Sequence, residues 1–190
     1  RTNREGGPGA LAAAIVGKTP LYGLHLEENR RATVIVEVQV PEDKMDYSLL
    51  GQAVGPRLGG GIPYFRGIRP GMEEMKTMAA AMAAAGSVAL FHVEEVTPEC
   101  SSQSLEGLEK ITIEVGDLAR ARDSLSTGRD PQLIALGCPH LSEKEVRTLA
   151  SLLDGKKKRG DTEVWFCTSR AVRQSSPQQV AILERFGKVL

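Results

Sequence analysis

The sequence lacks any excess of charge, because 24 acidic residues match its 24 basic ones. A neutral total gives no electrostatic footprint for nucleic acid or for an anionic membrane surface. It also lacks any apolar run near the roughly 20 residues that span a bilayer, and no signal peptide is apparent. These absences predict a protein without a nucleic-acid or membrane partner.

Cysteine is scarce, with three residues in 190. An odd number without disulfide spacing predicts a reducing, cytoplasmic compartment. No Cys-x-x-Cys pair is present, so the spacing of the cysteines predicts no metal site on its own. Cys100 lies among serines and glutamates, and we interpret it as incidental. The chain begins with Arg1 instead of Met, and its last residues are typical of the middle of a secondary-structure element. We therefore expect a piece of a longer polypeptide.

The order of predicted strands and helices indicates the fold class. From residue 87 onward, short apolar strands alternate with amphipathic helices, which is typical of βαβ units. We therefore predict an α/β fold with a layered, mainly parallel sheet flanked by helices. A single domain is expected over residues 1–190, less regular over 1–86 and regular over 87–190.

Residues 133–145, LIALGCPHLSEKE, carry the clearest chemical signal. We predict a buried strand that stops at Gly137, then a Cys-Pro-His turn, then a helix that Ser142 and Glu145 begin as a capping box. A thiol at the carboxyl end of a strand lies where α/β sheets bind their ligands. The thiolate of a cysteine is the form that binds metal or attacks.

Other polar residues are predicted to end strands at the same edge as Cys138 and His140. They are Thr168–Arg170 after the strand at 163–167, with His92 and Glu94 after an earlier strand. The planar fork of an arginine suits a carboxylate or phosphate, and a serine acts as acid or base where its surroundings withdraw its proton. The set suits an anionic hydroxy acid held near a metal or cluster.

Several weaker signals have a plain structural interpretation. The glycine-rich start, with Asn3, Arg4 and Glu5, could contact an anion at a helix amino end, but it equally fits an ordinary loop before a helix. His25 lies between leucines, and we interpret it as a hydrogen-bonded structural residue. We assign the methionines at 72, 75, 78 and 82 to the core.

Four motifs occur in order along the chain: TNREGGPGALAAAIVGKTPLYGLHLEENR at 2–30, GGGIPYF at 59–65, ALGCPHLSEKE at 135–145 and CTSRAV at 167–172. Together they resemble the large, catalytic subunit of aconitase X, in its archaeal branch. The resemblance covers the chain but only part of the family's subunit. It implies an aconitase-like fold and a hydro-lyase that dehydrates phosphomevalonate, with cis-3-hydroxy-L-proline as the alternative substrate.

The resemblance also implies a cofactor and a site. The family holds an iron–sulfur cluster, 4Fe–4S by expectation, with three cysteines, of which Cys138 matches one and the others lie outside this chain. Cys167 receives no ligand role. Ser169 and Arg170 match the family's TSR motif, and their predicted position at the shared edge of the strands makes them the expected catalytic residues. Substrate-binding roles are expected for four residues: Asn3, Arg4, His140 and Thr168.

The resemblance further implies a small aconitase X subunit, separate or fused, that completes the active site. The isolated chain should then be inactive. Two hypotheses from other functional classes stay open at this point. One is a non-catalytic α/β ligand-binding or redox-regulatory domain with Cys138 as a structural or redox-sensitive thiol, and the other is a scaffold at a subunit interface.

Overall fold

The chain folds into two compact units, one up to Leu125 and the other Ser126–Leu190. The computed structural model describes residues 6–128 and 130–190, so the predictions for Asn3, Arg4 and Glu5 lie outside the described residues. Each unit has its own parallel sheet and its own apolar core. No helix in the described ranges is both long enough and apolar enough to cross a membrane.

The first unit is a four-stranded parallel sheet covered by helices. Its strands are β1 (Val34–Gln39), β2 (Pro63–Arg66), β3 (His92–Val93) and β4 (Glu109–Glu114). They lie in the order β3-β2-β1-β4. Its helices are α1 (Gly7–Val16), α2 (Tyr47–Val54), α3 (Met72–Gly86) and α4 (Val115–Leu125).

The core of the first unit lies between the sheet and helices α2, α3 and α4. Val36 and Phe65 of the sheet are fully buried, as are Met78 and Met82 of α3. The core assignment of these two methionines is confirmed, because unbranched thioether side chains fill the gap between sheet and helix. The core assignment is wrong for Met72, because this residue lies in the first turn of α3 and its side chain is 77% exposed.

The second unit is a three-stranded parallel sheet in the order β5-β6-β7. Its strands are β5 (Leu133–Leu141), β6 (Glu163–Thr168) and β7 (Lys188–Val189), and its helices are α5 (Glu143–Leu153), α6 (Arg170–Ser175) and α7 (Pro177–Glu184). The predicted capping box begins α5: Ser142 Oγ accepts the N–H of Glu145 at 3.2 Å, and the Ser142 N–H donates to Glu145 Oε2 at 2.8 Å.

The predicted fold class is confirmed, but the division of the chain differs from the single domain expected. Strand β4 pairs with β1, so residues 109–125 complete the first unit instead of opening a regular second half. The first 86 residues are also more regular than expected. Strand β1, helix α2 and strand β2 form one βαβ unit, and helix α3 then leads to β3 in the same parallel sheet. This boundary depends on pairing between strands that are far apart in sequence, which the local pattern of residues cannot predict.

Strand β5 is more exposed than the pattern predicts. Leu133 and Ile134 are each 40% exposed, and Leu136 is 36% exposed, where a buried strand was expected. The reason is its position, since in the described part of the chain β5 has β6 as its only strand neighbour. A continuous apolar run is typical of a central parallel strand, but here it occupies the edge.

Candidate active-site edge

Cys138 lies in an irregular stretch of β5 at the carboxyl end of the second sheet. Strands β5 and β6 pair regularly until Leu136 opposite Phe166, and pair again at Leu141 opposite Thr168. Between these pairs β5 advances five residues while β6 advances two, so the Gly-Cys-Pro-His sequence forms a bulge. The thiol of Cys138 is free and exposed, and the Cys138–Pro139 peptide bond is cis.

Gly137 allows the bulge to approach β6 closely. Its φ of +117° favours glycine, and a Cβ added there would lie 2.2 Å from the carbonyl oxygen of Cys167. Any larger residue would therefore push the bulge away from β6. The glycine that precedes Cys138 thus holds the thiol beside the end of the neighbouring strand.

Thr168 connects the two strands where the bulge closes. Its side chain is buried, and its Oγ1 donates a 2.6 Å hydrogen bond to the carbonyl oxygen of Leu141. The hydroxyl proton is therefore already used in a hydrogen bond to the backbone of β5. This placement favours a positioning role for Thr168 over direct contact with a substrate.

Ser169 and Arg170 follow at the surface of the same edge. Ser169 is the N-cap of α6, and its Oγ accepts the N–H of Val172 at 3.2 Å. Arg170 is the first residue of α6, and both side chains are exposed. His140 is also exposed, within the bulge. The fold thus brings Cys138, His140 and the residues after β6 to one edge of the second sheet.

His92 and Glu94 do not belong to that sheet. Strand β3 pairs with β2 in the first unit, so the expectation that these residues and Cys138 end strands of one shared sheet is wrong. His92 is 1% exposed, and its Nε2 donates to the carbonyl oxygen of Arg30 at 2.8 Å. A satisfied buried histidine of this kind has a structural role.

The described residues do not form a complete metal site by themselves. Within residues 6–128 and 130–190, no group of three or more His, Cys, Asp or Glu side chains is placed to hold a metal ion. An exposed thiol in the bulge of β5 would nevertheless fit a group that takes one thiolate from this chain and its other ligands from elsewhere. Cys138 has the donor chemistry for that single place.

A second polar edge, which sequence reasoning missed, lies in the first unit. A cleft of about 490 Å³ opens at the carboxyl ends of β1, β2 and β3. Glu94 forms a 3.1 Å ion pair with Arg66, and Glu95 pairs with Arg69. Charged residues placed directly after successive strands were the available signal, but β3 is too short for its end to be located from the pattern.

One carboxyl group in the first unit has a clearly lowered pKa. Burial alone would raise the pKa of Asp117. The backbone N–H of Glu114 and the guanidinium groups of Arg57 and Arg120 outweigh burial and hold that pKa below its usual value. Asp117 thereby joins the start of α4 to the turn after α2, which is a structural task.

Two sequence profiles of known domains match the chain. The aconitase X second domain matches residues 32–123, and the aconitase X third domain matches residues 131–190. Each match falls inside one of the two compact units. The chain belongs to the aconitase X family.

Individual relatives agree with this assignment. The phosphomevalonate dehydratase large subunit of Methanothermobacter thermautotrophicus is 51% identical over 90% of this chain and 43% of its own length. The cis-3-hydroxy-L-proline dehydratase of Hypocrea jecorina is 36% identical over 93% of this chain and 33% of its own length. A crystal structure of Thermococcus kodakaraensis aconitase X in its holo-form is 47% identical with a TM-score of 0.90, and covers all of this chain and 51% of the other.

The chain thus spans about half the length, or less, of the relatives that it matches. The predicted aconitase-like fold is confirmed by the match in structure.

Proposed function

We propose that this chain is part of the large subunit of a phosphomevalonate dehydratase. The observation that carries the proposal is the exposed Cys138 thiol in a bulge of β5, at the same sheet edge from which Ser169 and Arg170 follow β6. The identity of the chain to a phosphomevalonate dehydratase large subunit, 51%, exceeds its 36% identity to a cis-3-hydroxy-L-proline dehydratase. Phosphomevalonate is therefore the substrate that we favour.

Cys138 is the proposed thiolate ligand of an iron–sulfur cluster, 4Fe–4S by expectation. The remaining ligands come from outside this chain in the proposal. Such a cluster with one iron open to substrate supplies a Lewis acid for the hydroxyl group that leaves. The bulge exposes one thiol and leaves Cys167 on the paired strand, which supports a single ligand from this edge.

The neighbouring side chains would hold the substrate and move its proton. The exposed guanidinium of Arg170 suits a carboxylate or phosphate, because its fork donates two parallel hydrogen bonds. The hydroxyl oxygen of Ser169 accepts a hydrogen bond from the N–H of Val172. This bond orients the hydroxyl group and leaves its proton to be donated. We propose Ser169 and Arg170 as catalytic residues.

The other proposed substrate contacts are His140, Asn3 and Arg4. His140 is placed in the exposed bulge, where an imidazole can reach a ligand above the sheet edge. Asn3 and Arg4 are proposed substrate contacts because the resemblance includes their motif. Thr168 supports the site by holding the end of β6 to the end of β5. A small subunit is the proposed partner that completes the active site, and the cytoplasm is the proposed location.

Substitution of Cys138 tests the proposal. The large subunit from its full reading frame is prepared without oxygen together with a small subunit, as wild type and as Cys138→Ser. We expect the wild type to show the broad visible absorption of a cluster, bleached by dithionite, and to dehydrate phosphomevalonate. The Cys138→Ser variant should lose both, because serine is a poor ligand for cluster iron.

Cys100→Ser is the matched control, since the same atom is changed in a partly buried residue of the first unit. It should keep the absorption and the activity. Dehydration that survives in Cys138→Ser would refute the ligand assignment. Turnover of cis-3-hydroxy-L-proline in place of phosphomevalonate would move the chain to the alternative substrate, and an absent cluster with intact Cys138 would favour the redox-regulatory reading.

A further inference from the structure

Among the described residues, helix α1 contributes nothing to the apolar core of the first unit. We propose that α1 packs into the apolar core of a preceding domain, formed by residues of the full-length large subunit that lie ahead of this chain. The proposal rests on the proposed function only in that this chain is part of a longer large subunit. The reaction and its substrate do not enter it.

The composition of α1 is that of a helix surrounded by protein. Its ten residues, GPGALAAAIV, include no polar or charged side chain, so no face of the helix is suited to water. A helix that is apolar all round is normally buried in a core, whereas a surface helix has one apolar stripe and one polar face. Against the part of the chain that the structure describes, however, none of the ten residues is buried. The composition therefore indicates burial against residues outside this chain.

The largest side chains of α1 are exposed, and the apolar surface continues beyond the helix. Leu11 and Ile15 are 63% and 75% exposed, and they share a face because they lie one helical turn apart. Large exposed apolar residues are concentrated within residues 11–22: Leu11, Ile15, Val16, Leu21 and Tyr22. Single exposed apolar residues are ordinary, but a concentration of them is typical of a surface that binds another part of a protein. Residues 11–22 have that character.

Arg30 joins the chain to the first unit shortly before β1. Its side chain is largely buried, and its Nε and Nη2 atoms donate to the Glu99 carboxylate at 2.8 and 2.9 Å. Its carbonyl oxygen accepts the 2.8 Å hydrogen bond from His92. The match to the aconitase X second domain begins at residue 32, directly after this anchor. Helix α1 therefore lies ahead of the second domain both in the profile match and in its packing.

A preceding domain of the same polypeptide is the partner that these observations favour. A second domain that matches from residue 32 implies a first domain ahead of it, and this chain covers only 43% and 51% of two relatives. An interface between separately folded subunits is only about as apolar as the rest of a protein surface, so it does not require a helix without a polar face. A ten-residue helix, about 15 Å long, is also too short to span a bilayer.

Hydrogen exchange tests the burial of α1 in the wild-type protein. The large subunit from its full reading frame is measured by mass spectrometry without its small subunit, at a concentration at which light scattering shows a monomer, and then as the complex. We expect the amides of residues 11–16 to exchange at least about 100-fold more slowly than those of an unstructured peptide. The reason is that a ten-residue helix exposed to water is marginal and protects its amides little. Helix α3, which contributes to the core, is the internal reference for a folded subunit.

A matched pair of variants tests the packing of Leu11. Leu11→Ala should lower the urea midpoint of the large subunit by about 0.5–1.5 M, because truncation of a buried leucine leaves a cavity. If α1 were exposed, the same change would leave the midpoint unchanged or raise it, since alanine has the higher helix propensity. The control is Leu152→Ala on α5, which removes the same atoms from a side chain that is 57% exposed and should leave the midpoint unchanged. Affinity for the small subunit should be unchanged in both variants.

Protection of α1 in the monomeric large subunit, with a lower midpoint only in Leu11→Ala, supports the proposal. Fast exchange of α1 beside a protected α3, or equal midpoints of the two variants, would overturn it. Protection only with the small subunit, or only on self-association, would assign α1 to that partner or to a second copy, and either result overturns the proposal. If α3 is unprotected without the small subunit, the affinity of Leu11→Ala for the small subunit decides, since a loss there would place α1 at the subunit interface.

Failure of the proposed function is seen separately, because neither measurement uses turnover. A protected α1 in a protein that does not dehydrate phosphomevalonate would support the packing and refute the reaction. Dehydration of phosphomevalonate by a protein whose α1 exchanges fast would do the reverse.

Discussion

Replacing Gly137 with alanine should selectively destabilise the second unit and displace Cys138. The new Cβ would lie 2.2 Å from the carbonyl oxygen of Cys167, on a residue with a φ of +117°. The positive φ costs about 1–2 kcal/mol for a residue with a Cβ. Overpacking against the backbone of β6 adds about 1–3 kcal/mol. We therefore expect Gly137→Ala to lower the free energy of unfolding by about 2–5 kcal/mol.

Gly155→Ala separates these two causes. Gly155 also has a positive φ, +71°, but a Cβ there would have nothing within 4 Å, so only the conformational cost of about 1–2 kcal/mol applies. Urea unfolding of both variants can be followed by the fluorescence of Trp165, the one tryptophan of the sequence, which lies in β6. Equal losses in the two variants would refute the close approach of Gly137 to β6, and with it the described placement of the thiol.

Two further variants test local features of the fold. Asp117→Asn should destabilise the first unit at neutral pH, and the loss should shrink on acidification. The reason is that the lowered pKa of Asp117 gives stability that is present above the unfolded-state pKa and is lost as pH falls through the folded-state pKa; urea unfolding at a series of pH values checks this, and a loss that is independent of pH would contradict it. Ser142→Ala should cost about 1 kcal/mol by removing the capping box with Glu145, whereas Ser151→Ala, at an exposed position within α5, should be close to neutral in thermal unfolding. Equal melting temperatures for the two serine variants would argue against the cap.

The elements that could be predicted are those with a long or chemically marked local signal. Strand β1 follows from the alternation of valines, and α5 follows from the capping box and its apolar stripe. Strand β7 could not be predicted, because Lys188 and Val189 form a strand only by pairing with Trp165 and Phe166. Two residues carry no periodic signal, so their conformation depends on the neighbour.

The candidate site likewise has features that the sequence could predict and features that it could not. The pattern around Cys138 predicts a strand that stops at Gly137, but β5 continues to Leu141 and carries Cys138 within its bulge. Local pattern could not show that His92 lies in a strand of another sheet, since strand order depends on contacts between distant residues. It could not show the bulge either, because the register of β5 changes only in relation to β6. The cleft around Arg69 combines three segments that are far apart in sequence.

Local chemistry, readable in the order of residues, is enough to establish the α/β class, the capping box at Ser142 and the resemblance to aconitase X, because each depends on neighbours within one element or on a contiguous motif. Tertiary contacts decide the rest: the pairing of β4 with β1 that sets the boundary at Leu125, the edge position of β5, and the contact of Gly137 with β6. The physical reason is that sheet pairing satisfies backbone groups that any residue possesses. Side-chain pattern can predict that a strand forms, but only the competition among possible partners determines where it lies.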